Sequence, residues 1–409
     1  MEIYSVGGSV RDALLGRPVT DRDYVVVGAR PEDLLALGYK PVGKDFPVFL
    51  HPETHAEYAL ARTEKKHGRG YHGFVFYTGQ DVKLEEDLAR RDLTINAMAQ
   101  TADGRLIDPF NGQADLKNKV LRHVGPAFAE DPVRLLRLAR FAARFSDFSI
   151  APETNALMRD MVEAGEINHL VPERVWQEIA RGLMETRPDR MIEALRESGA
   201  LQRLLPEVDA LFGIPERADY HPEGDSGAHL LLALNAAARM GLTLAGRFAA
   251  LTHDLGKATT PPEILPHHYE HEARGEAPLL QLSDRLKIPA DCRDLALLTI
   301  RLHGKIHNVC GATPLKPGTM VETLEACDFR RRPERFEEIL RVCEADSRGR
   351  QGYEDAPYPQ AAIWRAAAAA CRSVNDAAIA ALVKDKANIP ARLREARIAA
   401  VRAVLPQTT

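Results

Sequence analysis

No stretch of this 409-residue chain approaches the run of about 18 apolar positions that a membrane-spanning helix requires, so no span is predicted. The opening segment, MEIYSVGGSVRD, has neither the basic region nor the apolar core of a signal peptide and reads at once as a strand, so no export signal is predicted. Cysteine is scarce. Its five positions (Cys292, Cys310, Cys327, Cys343, Cys371) all fall in the C-terminal half and form no CxxC pair, which argues against a zinc ribbon or a disulfide framework and suits a reducing cytoplasm. A strong excess of one charge is also missing. The net charge is −4 and the pI near 6.4, unlike many basic nucleic-acid-binding domains. Binding depends on local patches, however, and Arg90–Arg91 and the arginine series from Arg134 to Arg144 are candidates. No internal repeat and no long disordered tract is visible.

What is present is the composition of a globular protein, 45% apolar and 27% charged, in a chain long enough for two to four domains. Short strand-like segments, such as DYVVV at 23–27, fill the first 110 residues. From about residue 115 the period is nearly all helical. Asp131 to Phe145 is predicted as a long helix, with Leu135, Leu138, Ala142 and Phe145 at helical spacing. Gly213–Gly227, polar and carrying Pro215 and Pro222, reads as a linker or loop. The fold class is therefore α+β, a small sheet-containing head followed by an all-α body.

The first 25 residues carry the most chemistry. Val6-Gly7-Gly8-Ser9 ends a strand and opens a helix, Val10 to Leu15. Two glycines at such a turn let backbone approach a ligand closely, and the helix N-terminus beyond them favours an anion. Arg11 sits in the first turn, where it is expected to reach the same anion. Asp21 and Asp23 lie two apart at the start of the next strand, so both carboxylates face one side. Carboxylates that close repel unless a cation lies between them. Mg²⁺ takes carboxylate and phosphate oxygens together, and a pair of such ions can activate a 3′-hydroxyl and neutralise departing pyrophosphate.

These residues, Gly7-Gly8-Ser9-Val10-Arg11-Asp12 with Asp21-x-Asp23, resemble the head signature of the polymerase-β-like nucleotidyltransferases of the tRNA CCA-adding and bacterial poly(A) polymerase group. Three further blocks agree in order: Arg90-Arg91-Asp92-Leu93-Thr94-Ile95-Asn96-Ala97, Glu130-Asp131-Pro132-x-Arg134-x-x-Arg137-x-x-Arg140, and Glu173-Arg174-x-x-x-Glu178. The resemblance covers essentially the whole chain. It implies a mixed sheet in the head, Gly8 and Arg11 at the nucleotide, Arg91 on its triphosphate, Asp92 on its ribose hydroxyl, and Arg137 and Arg140 near it. It assigns base selection to Asp131 and Arg134.

That assignment has a chemical rationale. CTP and ATP each present an exocyclic amine beside a ring-nitrogen acceptor, whereas UTP and GTP present a carbonyl beside a ring N–H. A carboxylate and a guanidinium, three apart on a helix, match the first pattern and oppose the second. Each buried mismatch costs about 1–3 kcal/mol, so one protein pair can choose C and A with no nucleic-acid template. Glu173, Arg174 and Glu178 are expected to brace this helix, and Glu57 is a candidate third carboxylate at the metal site.

Further on, Thr252-His253-Asp254-Leu255-Gly256-Lys257 resembles the core of HD phosphohydrolases. With His229 upstream and Asp346 downstream, the order His…His-Asp…Asp matches their metal cage, and His271 and His303 fall where binuclear members carry additional histidines. The chemistry implied is hydrolysis of phosphoesters by metal-activated water. A mixed His/Asp set admits several transition metals. The HD-bearing multifunctional members of the CCA-adding group imply phosphatase, 2′-nucleotidase and 2′,3′-cyclic phosphodiesterase activities, with nickel the usual metal.

The resemblance divides the chain into a nucleotidyltransferase head (1–123), a helical neck that binds base and RNA (124–212), an HD domain (226–350) and a helical tail (351–409). It implies tRNA, ATP and CTP as partners and a monomer or homodimer. Competing readings are a poly(A) polymerase, an HD phosphohydrolase whose head only senses nucleotides, and a non-catalytic tRNA-binding module.

Overall fold

The alternating segments of the first 110 residues form a seven-stranded sheet. Its strands are β1 (Glu2–Val6), β2 (Asp23–Val27), β3 (Lys40–Val42), β4 (Val48–Leu50), β5 (Glu57–Leu60), and, beyond the separate hairpin β6 (Thr63–Lys66)–β7 (Phe74–Tyr77), β8 (Ala99–Gln100) and β9 (Leu106–Ile107). The order is β3-β4-β5-β2-β1-β8-β9. β2 and β5 run parallel and the other neighbours antiparallel, so the sheet is mixed, as expected. The computed structural model describes residues 1–19, 22–42, 48–66, 74–310 and 314–405, and Asp21 lies outside them.

Strand alternation fills both faces of the sheet. Val6, Val25, Leu88 and Ala97 pack on one side, and Val26, Leu34, Phe49 and Leu60 on the other. Helix α1 (Gly8–Leu14) leaves the end of β1 through Gly7, whose φ of 69° is a conformation that favours glycine.

The chain divides into two compact units, Met1–Gly182 with Arg190–Leu204 and Leu183–Asp189 with Leu205–Thr409. In the first, the predicted long helix begins later than its pattern suggests. It spans Val133–Arg144, because Asp131 is extended and Pro132 takes the N-cap position. Leu135, Leu138 and Ala142 are fully buried on it, as their spacing requires.

The second unit, among the described residues, is helical. Helices Ser226–Arg239, Leu244–Thr252, His271–Leu286, Ala290–His307 and Pro333–Arg348 carry the histidines and aspartates singled out above or end beside them. His253 and Asp254 stand just beyond a helix end: the helix ends at Thr252, His253 is its C-cap, and Asp254 precedes a 3₁₀ turn, Leu255–Thr259. The preceding loop, 213–225, has no regular secondary structure beyond a bridge between Pro215 and Asp225, and Asp225 caps helix Ser226–Arg239 by accepting from the Ala228 N–H. No helix among the described residues is long and apolar enough to cross a membrane.

Candidate functional sites

In the first unit a cavity of about 570 Å³ is lined by Gly7, Gly8, Asp23, Arg91, Asp92, Asn96, Asp131, Arg134, Arg137, Arg140, Phe141 and other arginines. Among the described residues nine guanidinium groups line it against three carboxylates, so it suits a polyanion. Of the predicted residues, Gly8, Arg11, Asp23, Arg91, Asp92, Asp131, Arg134, Arg137 and Arg140 border it, whereas Glu57, Glu173 and Glu178 do not line it.

The glycine turn shapes one wall. A Cβ on Gly7 would sit 3.0 Å from Arg91 Nη1, and one on Gly8 would sit 3.4 Å from Arg11 Nη2. Asp23 opens β2 and lies in register with Glu57 on the parallel neighbour β5. Registered residues of adjacent strands share a face, so the two carboxylates stand side by side.

Arg11 borders the cavity and is tied to protein on its other sides. Its Nε and Nη2 clamp the Asp12 carboxylate at 2.9 and 3.0 Å, and its Nη1 donates to Asn96 Oδ1 at 2.5 Å. The guanidinium is buried over the rings of Phe141 and Phe145, at 5.3 and 5.1 Å from their centroids. It reaches the cavity wall with most of its donors committed to protein.

Asn96, which the sequence reading passed over, joins the pieces. It accepts from Arg11 and donates Nδ2–H to Asp92 Oδ1 at 2.9 Å, and the other Asp92 oxygen receives Arg137 Nε at 2.9 Å. Burial would raise the Asp92 pKa, but Arg137 and hydrogen bonds from Asn96 and Leu93 overcome it and hold the carboxyl at about 2. Arg90 and Arg91 share the buried Asp87, at 2.6 and 3.2 Å. Arg91 Nε is buried without a hydrogen-bond partner among the described residues.

Asp131 and Arg134 both face the cavity, but not as an adjacent pair on a helix. Asp131 stands just before the helix, where Oδ1 accepts the Val133 N–H at 3.1 Å, and Arg174 lies 3.6 Å from Oδ2. Arg134 Nη1 is anchored on the Ala127 carbonyl at 2.5 Å. Pro132 forces this break, since the residue before proline is pushed out of the helical region. Glu178 braces the next turn, accepting from Arg140 Nε at 2.7 Å, which matches its expected role.

The second unit gathers another set. Nε2 of His229 lies 3.0 Å from Asp346 Oδ1 and 3.9 Å from Asp254 Oδ2. Nε2 of His253 lies 3.1 Å from Asp254 Oδ2 and 3.7 Å from Asp346 Oδ1, and is buried with no hydrogen-bond partner among the described residues. On the other side of Asp254, Oδ1 is 3.4 and 3.6 Å from Nε2 of His271 and His303, which face each other at 3.0 Å. Nδ1 of His271 donates to the His268 carbonyl at 2.8 Å and Nδ1 of His303 to the Thr299 carbonyl at 3.0 Å, so in the neutral rings both Nε2 atoms carry lone pairs and face each other. An orphaned ring nitrogen and a pair of opposed ones fit metal donors, with Asp254 shared between two groups of ligands.

Burial would keep His253 neutral, but Asp254 and Asp346 hold its pKa well above normal, while burial takes His303 down to about 4. Gly256 makes the fold around Asp254 possible: a Cβ there would collide with the His271 carbonyl and with Gly275 N.

The sequence reading did not anticipate several neighbours. Lys257 spans Glu216 Oε1 and Asp254 Oδ2 at 2.6 and 2.9 Å. His307 Nε2 lies 2.7 Å from Asp346 Oδ2, with the Tyr358 hydroxyl 3.0 Å from its Nδ1. Glu216 and Glu223 come from the loop read as a linker, where four acids and a histidine among prolines were the available signal.

Comparison with known proteins agrees with this architecture. Residues 3–122 match the Poly A polymerase head domain, and residues 147–212 the probable RNA and SrmB-binding site of polymerase A. The fold is shared with the Bacillus stearothermophilus CCA-adding enzyme in complex with CTP (TM-score 0.64, 24% identity, 98% of this chain and 88% of that one). It is shared also with the Thermotoga maritima CCA-adding enzyme complexed with tRNA (TM-score 0.60, 19% identity, 100% and 88% covered). Fold and cavity together define a nucleotidyltransferase, and nucleotidyltransferases of this kind use a divalent metal.

The multifunctional CCA protein of Dechloromonas aromatica is 62% identical over 405 residues, covering 99% of this chain and 98% of its own length. That of Laribacter hongkongensis is 59% identical over 407 residues, covering 100% of both. At this similarity, the chain belongs to the multifunctional CCA protein family.

Proposed function

We propose that the first unit builds the 3′-terminal CCA of tRNA from CTP and ATP, without a nucleic-acid template and with release of pyrophosphate. The observation that carries this reading is a single cavity holding Asp131 and Arg134 beside an arginine-rich wall and Asp23. The arginines, Arg91 foremost, bind the triphosphate; Asp92, fixed by Arg137 and Asn96, meets the ribose; Asp131 accepts from the exocyclic amine, while Arg134 donates to the ring nitrogen. Arg137 and Arg140 hold the wall, and Gly8 lets the phosphates come close. Asp23 with Asp21, and Glu57 beside Asp23, would hold Mg²⁺, which supplies charge neutralisation at the phosphates when bound. The division into head 1–123 and neck 124–212 follows these roles.

We also propose that residues 226–350 form an HD phosphohydrolase, followed by a helical tail at 351–409. Its carrying observation is the convergence of His229, His253, Asp254 and Asp346. These four would hold one transition metal, nickel in our reading, and His271 and His303 with Asp254 a second, supplying a water nucleophile at neutral pH. Phosphatase, 2′-nucleotidase and 2′,3′-cyclic phosphodiesterase activities on tRNA ends follow, and a cytoplasmic site of action suits both halves.

The test is incubation with tRNA ending at the discriminator base, Mg²⁺, and each labelled nucleotide alone and combined. Two C and one A, then arrest, is the expected result. Unlimited A addition would make the chain a poly(A) polymerase. No incorporation by a chain that still cleaves cyclic phosphate would reduce the first unit to a nucleotide sensor.

A further inference from the structure

The HD reading leaves one question about His229, namely what presents its Nε2 lone pair to the metal. An imidazole ligates through a nitrogen that carries no proton, so the proton must be held on the other nitrogen. His229 is fully buried, and its Nδ1 lies 2.9 Å from Glu223 Oε1. The same oxygen lies 2.9 Å from Nδ1 of His221, whose ring packs edge-on against His229 with centroids 4.5 Å apart. The Glu223 side chain is 4% exposed. Its second oxygen accepts the Gln351 backbone N–H at 3.3 Å. Glu223 therefore holds a buried carboxylate directly behind a buried histidine, on the side away from Asp254 and Asp346.

From this arrangement we propose that Glu223 is a positioning residue of the HD centre, which receives the Nδ1–H of His229 and so fixes the tautomer and ring orientation that expose Nε2 to the metal. The proposal rests on the reading of His229, His253, Asp254 and Asp346 as ligands. It gives loop 213–225 a chemical task. A carboxylate behind a ligating histidine commonly contributes 10–100-fold to metal affinity.

The test uses the full-length chain, stripped by chelator and titrated with Ni²⁺ alone by calorimetry, with the unfolding midpoint measured in parallel. The expected result is a Kd weakened by about 10–100-fold in Glu223→Leu. Glu223→Gln, whose amide oxygen still accepts the Nδ1–H, recovers most of that loss. An unchanged Kd in Glu223→Leu overturns the proposal, as does a lowered midpoint with affinity intact, which would mark a merely structural role. Should Glu223→Leu not fold, the ¹⁵N shifts of His229 in Glu223→Gln carry the test. They are expected to show Nδ1 still protonated and Nε2 metal-bound, and the opposite tautomer overturns the proposal. If the unaltered chain binds no Ni²⁺, the HD reading itself falls, an outcome distinct from a failure at Glu223.

Discussion

The cavity of the first unit and the cluster of the second both bring charged side chains into close quarters, but with different chemistry. Around the cavity the charge is arginine, which does not lose its proton in proteins. Asp87, Asp92 and Glu178 hold several of these guanidinium groups in place without outnumbering them. In the second unit, ring nitrogens and carboxylate oxygens face one another at 2.7–3.9 Å. The first arrangement is suited to an anion and the second to a cation. The difference gives each unit its own set of residues, so the two proposed activities are expected to respond separately to substitution.

Single substitutions should expose that separation. The largest effect is expected at Asp23. Asp23→Ala should lower nucleotide addition by roughly 10³-fold or more, as loss of several kcal/mol at a metal-dependent step implies, while cyclic-phosphate hydrolysis stays unchanged. Radiolabelled CTP incorporation and hydrolysis of a 2′,3′-cyclic nucleotide, measured on one preparation, check it. A parallel loss of both activities would break the comparison.

Next in size, joint replacement of His253 and Asp254 by alanine should abolish cyclic-phosphate hydrolysis and Ni²⁺ binding and leave addition intact. Hydrolysis that survives the double change would remove these residues from the chemistry.

Legibility differed between the regions for a physical reason. The transferase residues lie in short contiguous blocks, so family likeness could pick them out block by block. What could not be read was the local break at Pro132, which takes Asp131 off the helix, and the bridging by Asn96, whose role exists only once distant blocks meet. The proposed HD ligands are spread over more than a hundred positions, and only their order and the His253-Asp254 pair were visible. Glu216 and His307 meet their partners through long-range contacts that no local period encodes, and Glu223 meets His229, six residues on, from a loop that has no period. The mixed sheet was anticipated through family likeness, since strand alternation does not distinguish parallel from antiparallel neighbours.

A smaller effect sharpens the cavity side. Asp131→Ala should cut the preference for CTP over UTP by about tenfold or more, the consequence of losing a buried pairing worth about 1–3 kcal/mol, with a milder fall in the CTP rate. Ratios of kcat/KM for the two nucleotides measure it. Asp23→Ala should instead keep the ratio in whatever residual activity remains. If both variants lost rate and selectivity in equal proportion, Asp131 would not be reading the base.

The smallest effect concerns stability. Asp92 is buried with its pKa at about 2, below the ordinary 3.8, chiefly because Arg137 outweighs the cost of burial. A carboxyl depressed in the folded state stabilises that state fully above its unfolded pKa. The contribution is lost as pH falls through the folded value, here between about pH 4 and pH 2. A shift of this size corresponds to about 2 kcal/mol. Asp92→Asn should therefore lower the urea midpoint of the native protein at pH 7, and the gap between variant and parent should close as pH falls from 4 toward 2. The cluster of the second unit offers an internal control, since its histidines and aspartates are untouched by the change. If the gap persisted at pH 2, the loss would come from packing around the new amide and not from the Asp92–Arg137 charge pair.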